Sequence, residues 1–321
     1  VKERVCVAGA GGFIGSHLVR YLKEQGYWVR GVDLKKPQWS ESLADEFKIL
    51  DLRDHTRCLE AFFGVHWAFA LAADMGGMGF ITTHDAEIIR NNTMINMNSI
   101  EAAKVHGVKR YLFSSSACVY PTTIQGDDAR KINEEDVYPA FPQHSYGWEK
   151  LHTEHLCKYY QEAGWLDTRV VRFHNCYGPE GAWNDGREKA PAALCRKIAE
   201  AELTGDPEVE IWGDGGQIRS YMYVQDCVEG LLKVMTSDYP HPLNIGRDRE
   251  ISVDDLADTI AHIAGVEIVK VHVKGPEGVR RRNSDNWLCR HVLEGWEPRT
   301  PIEEGLVDTY QWVRKQVLND G

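Results

Sequence analysis

The chain has 321 residues, enough to bury a large core in one large or two smaller domains. Its formal net charge of -11 at pH 7 argues against nucleic acid or an anionic membrane as a general partner. No apolar run approaches the ~20 residues of a membrane span. The eight cysteines include no C-x-x-C pair and no metal-finger spacing, so a reduced, cytoplasmic protein without a disulfide framework or a metal site is expected.

The N-terminus runs straight into Arg4-Val5-Cys6-Val7-Ala8, too short an apolar stretch for a signal peptide. With Val1 in first place, the native start is expected to be missing. Residues 4–8 read as a buried strand, followed at once by Gly9-Ala10-Gly11-Gly12-Phe13-Ile14-Gly15 and an amphipathic helix from Ser16 to Gln25. Glycines spaced G-x-x-G-x-x-G between strand and helix allow a tight turn and close approach to a pyrophosphate at the helix N-terminus. Gly9, Gly12, Phe13, Ile14 and Gly15 are therefore candidate dinucleotide-binding residues. A second strand, Trp28 to Val32, ends in Asp33, where a carboxylate accepts ribose hydroxyls and repels a 2′-phosphate. This favours NAD over NADP, a preference that Lys35 and Lys36 soften.

A third strand, Phe47 to Leu50, precedes Asp51, placed to reach an adenine edge, and Asp54, placed to cap the next helix. A fourth, His66 to Ala70, runs into the glycine-rich Ala73-Asp74-Met75-Gly76-Gly77-Met78-Gly79. A long helix over roughly 84–106 comes next, and then Tyr111-Leu112-Phe113-Ser114-Ser115-Ser116-Ala117-Cys118. That fifth strand ends in hydroxyls and a thiol, at the end where open α/β sheets bind ligands. Strands alternating with helices predict an α/β fold with a doubly wound parallel sheet. Another strand spans Thr168–Phe173. Beyond residue 178 the pattern gives way to long loops with helices near 189–203, 252–264 and 302–317. A cofactor-binding domain is expected from residues 1–177 and 222–250. A second, smaller α/β substrate domain is expected from 178–221 and 251–321.

Tyr146 and Lys150 stand four apart, on one face of a helix. A lysine ammonium and a bound NAD⁺ are expected to lower the phenol's pKa and make it a usable base. Together Gly9, Gly12, Gly15, Asp33, Ser116, Tyr146 and Lys150 resemble the extended short-chain dehydrogenase/reductase family, of Rossmann-type fold, across essentially the whole chain. The resemblance implies Tyr146 as base and acid, Lys150 on the nicotinamide ribose, and Ser116 on the reacting hydroxyl. Ala117-Cys118 stands where the family's dehydratases carry Asp-Glu, and Cys118 where its simple 4-epimerases carry Thr. With residues 73–79, Gly186 to Pro191 and Gly275 to Arg280, this resembles the branch that takes GDP-sugars.

The resemblance implies 3,5-epimerisation of GDP-D-mannose to GDP-L-galactose, with GDP-L-gulose a second candidate product and ascorbate biosynthesis as the setting. Oxidation of the C4 hydroxyl acidifies the hydrogens on C3 and C5, and a base and an acid on opposite faces can then invert both centres. Cys118 is the expected base. Two residues beyond Ser116 on an extended chain, it would lie on the same side, its pKa lowered by nearby positive charge. Lys189 is the expected acid, its pKa lowered by partial burial. The resemblance adds Gly76, Ala117, Asn175, Glu188, Ala190, Lys197, Gln217, Ile218, Arg219 and Arg282 as substrate-binding positions. The run Arg280-Arg281-Arg282 is the densest basic cluster available for a diphosphate. A homodimer through helices near 84–106 and 145–164 is also implied. Plant members extend some tens of residues further, so contacts made there are expected to be absent. Another nucleotide-sugar 4-epimerase, or an epimerase–reductase, stays open as an alternative, Asp33 arguing against the NADPH-consuming one. A non-catalytic nucleotide sensor ranks below these, because Tyr146 and Lys150 are both retained.

Overall fold

The computed structural model describes residues 2–276 and 278–320. Val1, on which the reading of a missing start rests, and Glu277, one position of the 275–280 segment, lie outside the described residues, as does Gly321. The first half alternates as its periodicity predicts: β1 (Arg4–Ala8), α1 (Phe13–Glu24), β2 (Trp28–Asp33), β3 (Glu46–Ile49), α2 (His55–Phe62) and β4 (Trp67–Ala70). A short α3 (Met78–Ile81) leads into the long α4 (Asp85–Val105), then β5 (Arg110–Ser116), α5 (His144–Glu162) and β6 (Thr168–Phe173). Asp54 caps α2 through hydrogen bonds from the Thr56 and Arg57 amides, as its position predicts.

Beyond β6 the elements shorten: β7 (Cys176–Tyr177), α6 (Ala190–Thr204), β8 (Glu208–Trp212), β9 (Ile218–Ser220) and β10 (Met222–Tyr223). They are followed by α7 (Val224–Thr236), β11 (Pro242–Ile245), β12 (Glu250–Ser252) and α8 (Val253–Ala264). The chain closes with β13 (Val269–Val273), β14 (Arg281–Arg282), α9 (Trp287–Val292) and α10 (Ile302–Asp320).

Seven strands make one sheet in the order β11-β6-β5-β4-β1-β2-β3, parallel at every pairing. The strand order reverses between β1 and β4, and the crevice beyond their carboxyl ends is where such sheets take ligands. The chain leaves this sheet after β6 and returns through α7 to lay β11 beside β6. The excursions build small sheets, β12-β9-β14 and β13-β8, above the same end, and α6 packs against α8 and α10. The larger apolar cluster runs unbroken from Val7 and Leu112 in the main sheet to Ile198, Leu256 and Tyr310. The two parts of the cleft therefore share a core.

Candidate active site

The turn between β1 and α1 has no room for side chains. A Cβ on Gly15 would overlap the Gly9 carbonyl oxygen, and Gly9 itself has φ +90° with Ala72 N 2.8 Å from where its Cβ would stand. β1 and β4 thus approach backbone to backbone at the switch point. Gly12 caps α1 without any side-chain hydrogen bond, so the amides at the helix start are not covered by a cap of the chain's own. Gly12 is exposed and Phe13 and Ile14 are half-buried. Asp33, at the end of β2, accepts the Gly11 amide at 2.9 Å, and burial raises its carboxyl above the ordinary value. These features fit a dinucleotide whose pyrophosphate lies on the Gly12–Ile14 amides and whose ribose faces Asp33. Asp51 directs both carboxylate oxygens to Arg53, at 2.7–3.1 Å, and that ion pair holds its carboxyl below the usual range.

Cys118 is not on extended chain, contrary to the expectation from its spacing. β5 stops at Ser116, and residues Ala117–Val119 form a 3₁₀ turn. Cys118 stays beside Ser116 because the Ser116 hydroxyl caps that turn, accepting the Cys118 amide at 3.2 Å. Behind the turn lies α5, where a Cβ on Gly147 would overlap the Cys118 carbonyl oxygen. Tyr146 packs with Cys118, Met75, Phe80, Ile81 and Ile88. Lys150 is buried, its Nζ 5.4 Å from the Tyr146 ring centre, 4.8 Å from that of Phe113 and 3.8 Å from Glu149 Oε1.

The phenol and the thiol of this cluster are shifted in opposite directions. Burial pushes the Tyr146 phenol well above its ordinary value, the charges of Cys118 and Glu149 add to the rise, and a hydrogen bond to Ser116 only partly offsets it. Burial lowers the pKa of Lys150, and Glu149 beside it opposes that fall. Cys118 goes the other way from the phenol. Burial opposes its ionisation, but Arg282, whose Nη1 lies 3.5 Å from the sulfur, the Ser116 hydroxyl and the Lys189 charge outweigh it, and the thiol is lowered.

Arg282 is the only member of the basic run that reaches this centre. Arg280 pairs with Asp127 at 2.7 Å and Asp214 at 2.6 Å, and Arg281 with Glu250 at 2.5 Å. Arg282 is buried, its Nε donating to Gln125 Oε1 at 2.5 Å. The expected three-cation cluster is therefore one cation facing a thiol. Arg219 lies nearby, donating to the Val279 carbonyl, and burial together with Arg282 lowers it to about 10.

The remaining predicted positions divide in two. Lys189 is the residue before α6, with Glu188 preceding it and Ala190 following in the first turn; this loop abuts Gly77, where a Cβ would overlap the Glu188 carbonyl, while Gly76 packs against Phe80. Asn175, at φ 47°, donates to the Ser220 carbonyl, and Gln217 donates to that of Trp212. Ile218 is half-buried in β9. Lys197, on α6, donates to the Glu210 carbonyl beside Trp212. Gln125, Gly147 and Glu149 escaped the sequence reading. Each acts through a partner remote in the chain or through the absence of a side chain, and leaves no spacing signal. Among the described residues no group of His, Cys, Asp and Glu could hold a metal ion.

The sequence profile of the NAD dependent epimerase/dehydratase family matches residues 5–246. The chain belongs to this family. As an NAD-dependent epimerase/dehydratase, it is 46% identical over 318 residues to GDP-mannose 3,5-epimerase 1 of Oryza sativa subsp. japonica, covering 98% of this chain and 83% of that one. To GDP-L-fucose synthase 1 of Arabidopsis thaliana it is 29% identical over 328 residues, covering 99% and 95%. Its fold matches the crystal structure of UDP-glucose 4-epimerase with UDP-glucose from Thermotoga maritima, with TM-score 0.87, 28% identity and coverage of 98% and 99%.

Proposed function

We propose that this protein inverts C3 and C5 of GDP-D-mannose to give GDP-L-galactose, and GDP-L-gulose when only C5 is inverted, through a transient 4-keto sugar. The observation that carries the reading is the Cys118 thiol, lowered by Arg282 and set beside Ser116 and Tyr146. The identity of 46% to the rice enzyme, against 29% to the fucose synthase, supports the choice of substrate and reaction.

NAD, when bound, supplies a reversible acceptor for the C4 hydrogen, which makes the hydrogens on C3 and C5 acidic. Gly12, Phe13, Ile14, Gly15, Asp33 and Lys150 would hold it. Ser116 Oγ holds the C4 hydroxyl, and Tyr146 Oη takes its proton and later returns it. Burial raises the proton affinity of the Tyr146 phenol, and the form that accepts the C4 hydroxyl proton would be its phenolate, favoured by the Lys150 ammonium and the positive charge of the bound cofactor. At each flanking carbon the Cys118 thiolate removes the proton, so that a C–H bond breaks and an S–H bond forms. Lys189 delivers a proton from its ammonium to the opposite face, leaving a neutral amine. Both groups then return to their starting forms by exchange with solvent.

Arg219 and Lys197 supply positive charge for the GDP moiety, with Gly76, Asn175, Gln217 and Ile218 lining the path. The same reading includes a cytoplasmic homodimer serving ascorbate biosynthesis. The exposure of Met94, Met97, Trp148 and Tyr159 on α4 and α5 supports the dimer, and the eight unpaired cysteines support a reducing compartment. Among the described residues no helix is long and apolar enough to cross a membrane. Light scattering coupled to gel filtration tests the dimer.

The function is tested by incubating the holoenzyme with GDP-mannose in deuterated water and following the sugar by NMR. Deuterium at both C3 and C5 is expected, nearly abolished in Cys118→Ala. Inversion at C4 alone would make the protein a 4-epimerase, and stoichiometric loss of reduced cofactor an epimerase–reductase.

A further inference from the structure

The Lys189 loop is fastened by one residue that the reaction itself does not use. Arg187 donates through Nη1 to Asp74 Oδ1 at 3.0 Å and to the Met75 carbonyl at 3.1 Å. Its guanidinium lies 3.8 Å from the Phe80 ring centre, and its own carbonyl accepts the Gly77 amide at 2.9 Å. A half-exposed ion pair alone holds a loop only weakly. Here one side chain combines the pair with a carbonyl hydrogen bond and ring stacking, while the two backbones are joined directly. The result fixes residues 186–190 against residues 74–80.

The anchor of that contact leads to the oxidation site. Asp74 accepts Asn91 Nδ2 at 3.0 Å through its second oxygen. Its backbone is clasped by Asn92, whose Oδ1 accepts the Asp74 amide at 2.6 Å and whose Nδ2 donates to the Asp74 carbonyl at 3.1 Å. The same Nδ2 donates to Glu149 Oε1 at 2.9 Å, and Asn96 Nδ2 donates to Glu149 Oε2 at 3.0 Å. Glu149 is buried beside Lys150, 3.8 Å from its Nζ. Asn92, Asn96 and Glu149 are all fully or nearly fully buried, so this chain of contacts has little freedom to slip.

We propose that Arg187 is a positioning residue that, clamped by Asp74, sets Lys189 on the face of the sugar opposite Cys118. Asn92 and Glu149 place the clamp in register with Lys150. The proposal rests on reading Cys118 and Lys189 as opposed base and acid. Inversion then needs both groups, whereas exchange with retained configuration needs only Cys118, whose thiol proton exchanges with solvent between removal and return. A misplacement of ~1 Å in a reacting group costs about 10²-fold in rate. Loss of the clamp should therefore separate the two outcomes.

The test follows GDP-mannose with the wild-type, Arg187→Met and Asp74→Asn holoenzymes in deuterated water. Inverted product and deuterium in recovered, uninverted substrate are measured together. Arg187→Met is expected to slow inversion by about tenfold or more and retained-configuration exchange by less than about threefold, with KM little changed. Asp74→Asn, which keeps the shape of the clamp, is expected to shift the ratio in the same direction. The double variant is expected to lose no more than the worse single one, because the two residues act through each other. An unchanged ratio of inversion to exchange in both variants, or additive losses in the double, overturns the clamp. Absence of exchange at C3 and C5 in the wild-type protein overturns the underlying reading as well, which separates the two failures.

Discussion

Cys118 and Arg282 meet across 164 positions of sequence, and the thiol's acidity depends on that meeting. Arg282 lowers the thiol against the opposing effect of burial, so the active thiolate persists to lower pH than an isolated cysteine allows. The reaction rate should rise with pH through the thiol's pKa and level off above it. In Arg282→Met that rise moves to higher pH, and a thiol pKa higher by about one cuts the thiolate fraction on the acid side about tenfold. Iodoacetamide alkylation of Cys118 against pH measures it directly, the other seven cysteines being buried. An unmoved alkylation curve would show that Arg282 does not tune the thiol. Ser116, Tyr146 and Lys150 were legible in the sequence because strand end and helix spacing mark them. The part played by Arg282 was not: a basic run reads as an anion site until Asp127, Asp214 and Glu250 are seen to take up its first two members.

Two glycines make separable demands on the elements they join. Gly15 lets α1 start against the Gly9 carbonyl, and Gly147 lets α5 pass the Cys118 carbonyl. Gly15→Ala forces β1 and α1 apart and is expected to cost about 1–3 kcal/mol of stability and to lower NAD content. Urea denaturation and the absorbance of cofactor released by acid check both. Gly147→Ala should instead displace the 3₁₀ turn that carries Cys118. C3 and C5 exchange is then expected to fall by about 10²-fold with NAD content retained. Equal loss of cofactor from the two variants would contradict this division. The strand–turn–helix pattern exposed the first glycine, whereas nothing in the chain around Gly147 announces a neighbour from another segment.

The cleft is held open by polar as well as apolar packing. Arg172 on β6 donates to both oxygens of Glu154 on α5, at 2.9 and 2.6 Å, and also to Tyr120 Oη and the Glu134 carbonyl. Ser115, one residue before Ser116, donates to the same Glu154 carboxylate. Removing the carboxylate leaves a buried guanidinium without its counter-charge. Glu154→Ala is therefore expected to destabilise the protein by about 3–5 kcal/mol, seen as a lower urea midpoint. A midpoint within experimental error of the wild type would mean that Arg172 finds water or another acceptor. This pair links helix, sheet and the β5 end in one unit, on which the positions of Ser116 and Tyr146 depend.

The doubly wound sheet, the dinucleotide turn and the Ser–Tyr–Lys set follow from local signals. Alternating apolar runs, glycines between strand and helix, and a four-residue helical spacing each act within a few residues, so the chain records them directly. The companions of the reacting groups are different. Cys118 lies on a tight turn instead of an extended strand because Ser116 caps it and α5 presses from behind. Arg282 faces sulfur because its neighbours' charges are matched elsewhere, and the Lys189 loop sits where Arg187 finds Asp74. These are contacts between distant segments, settled by which side chains the folded cleft brings within hydrogen-bond reach.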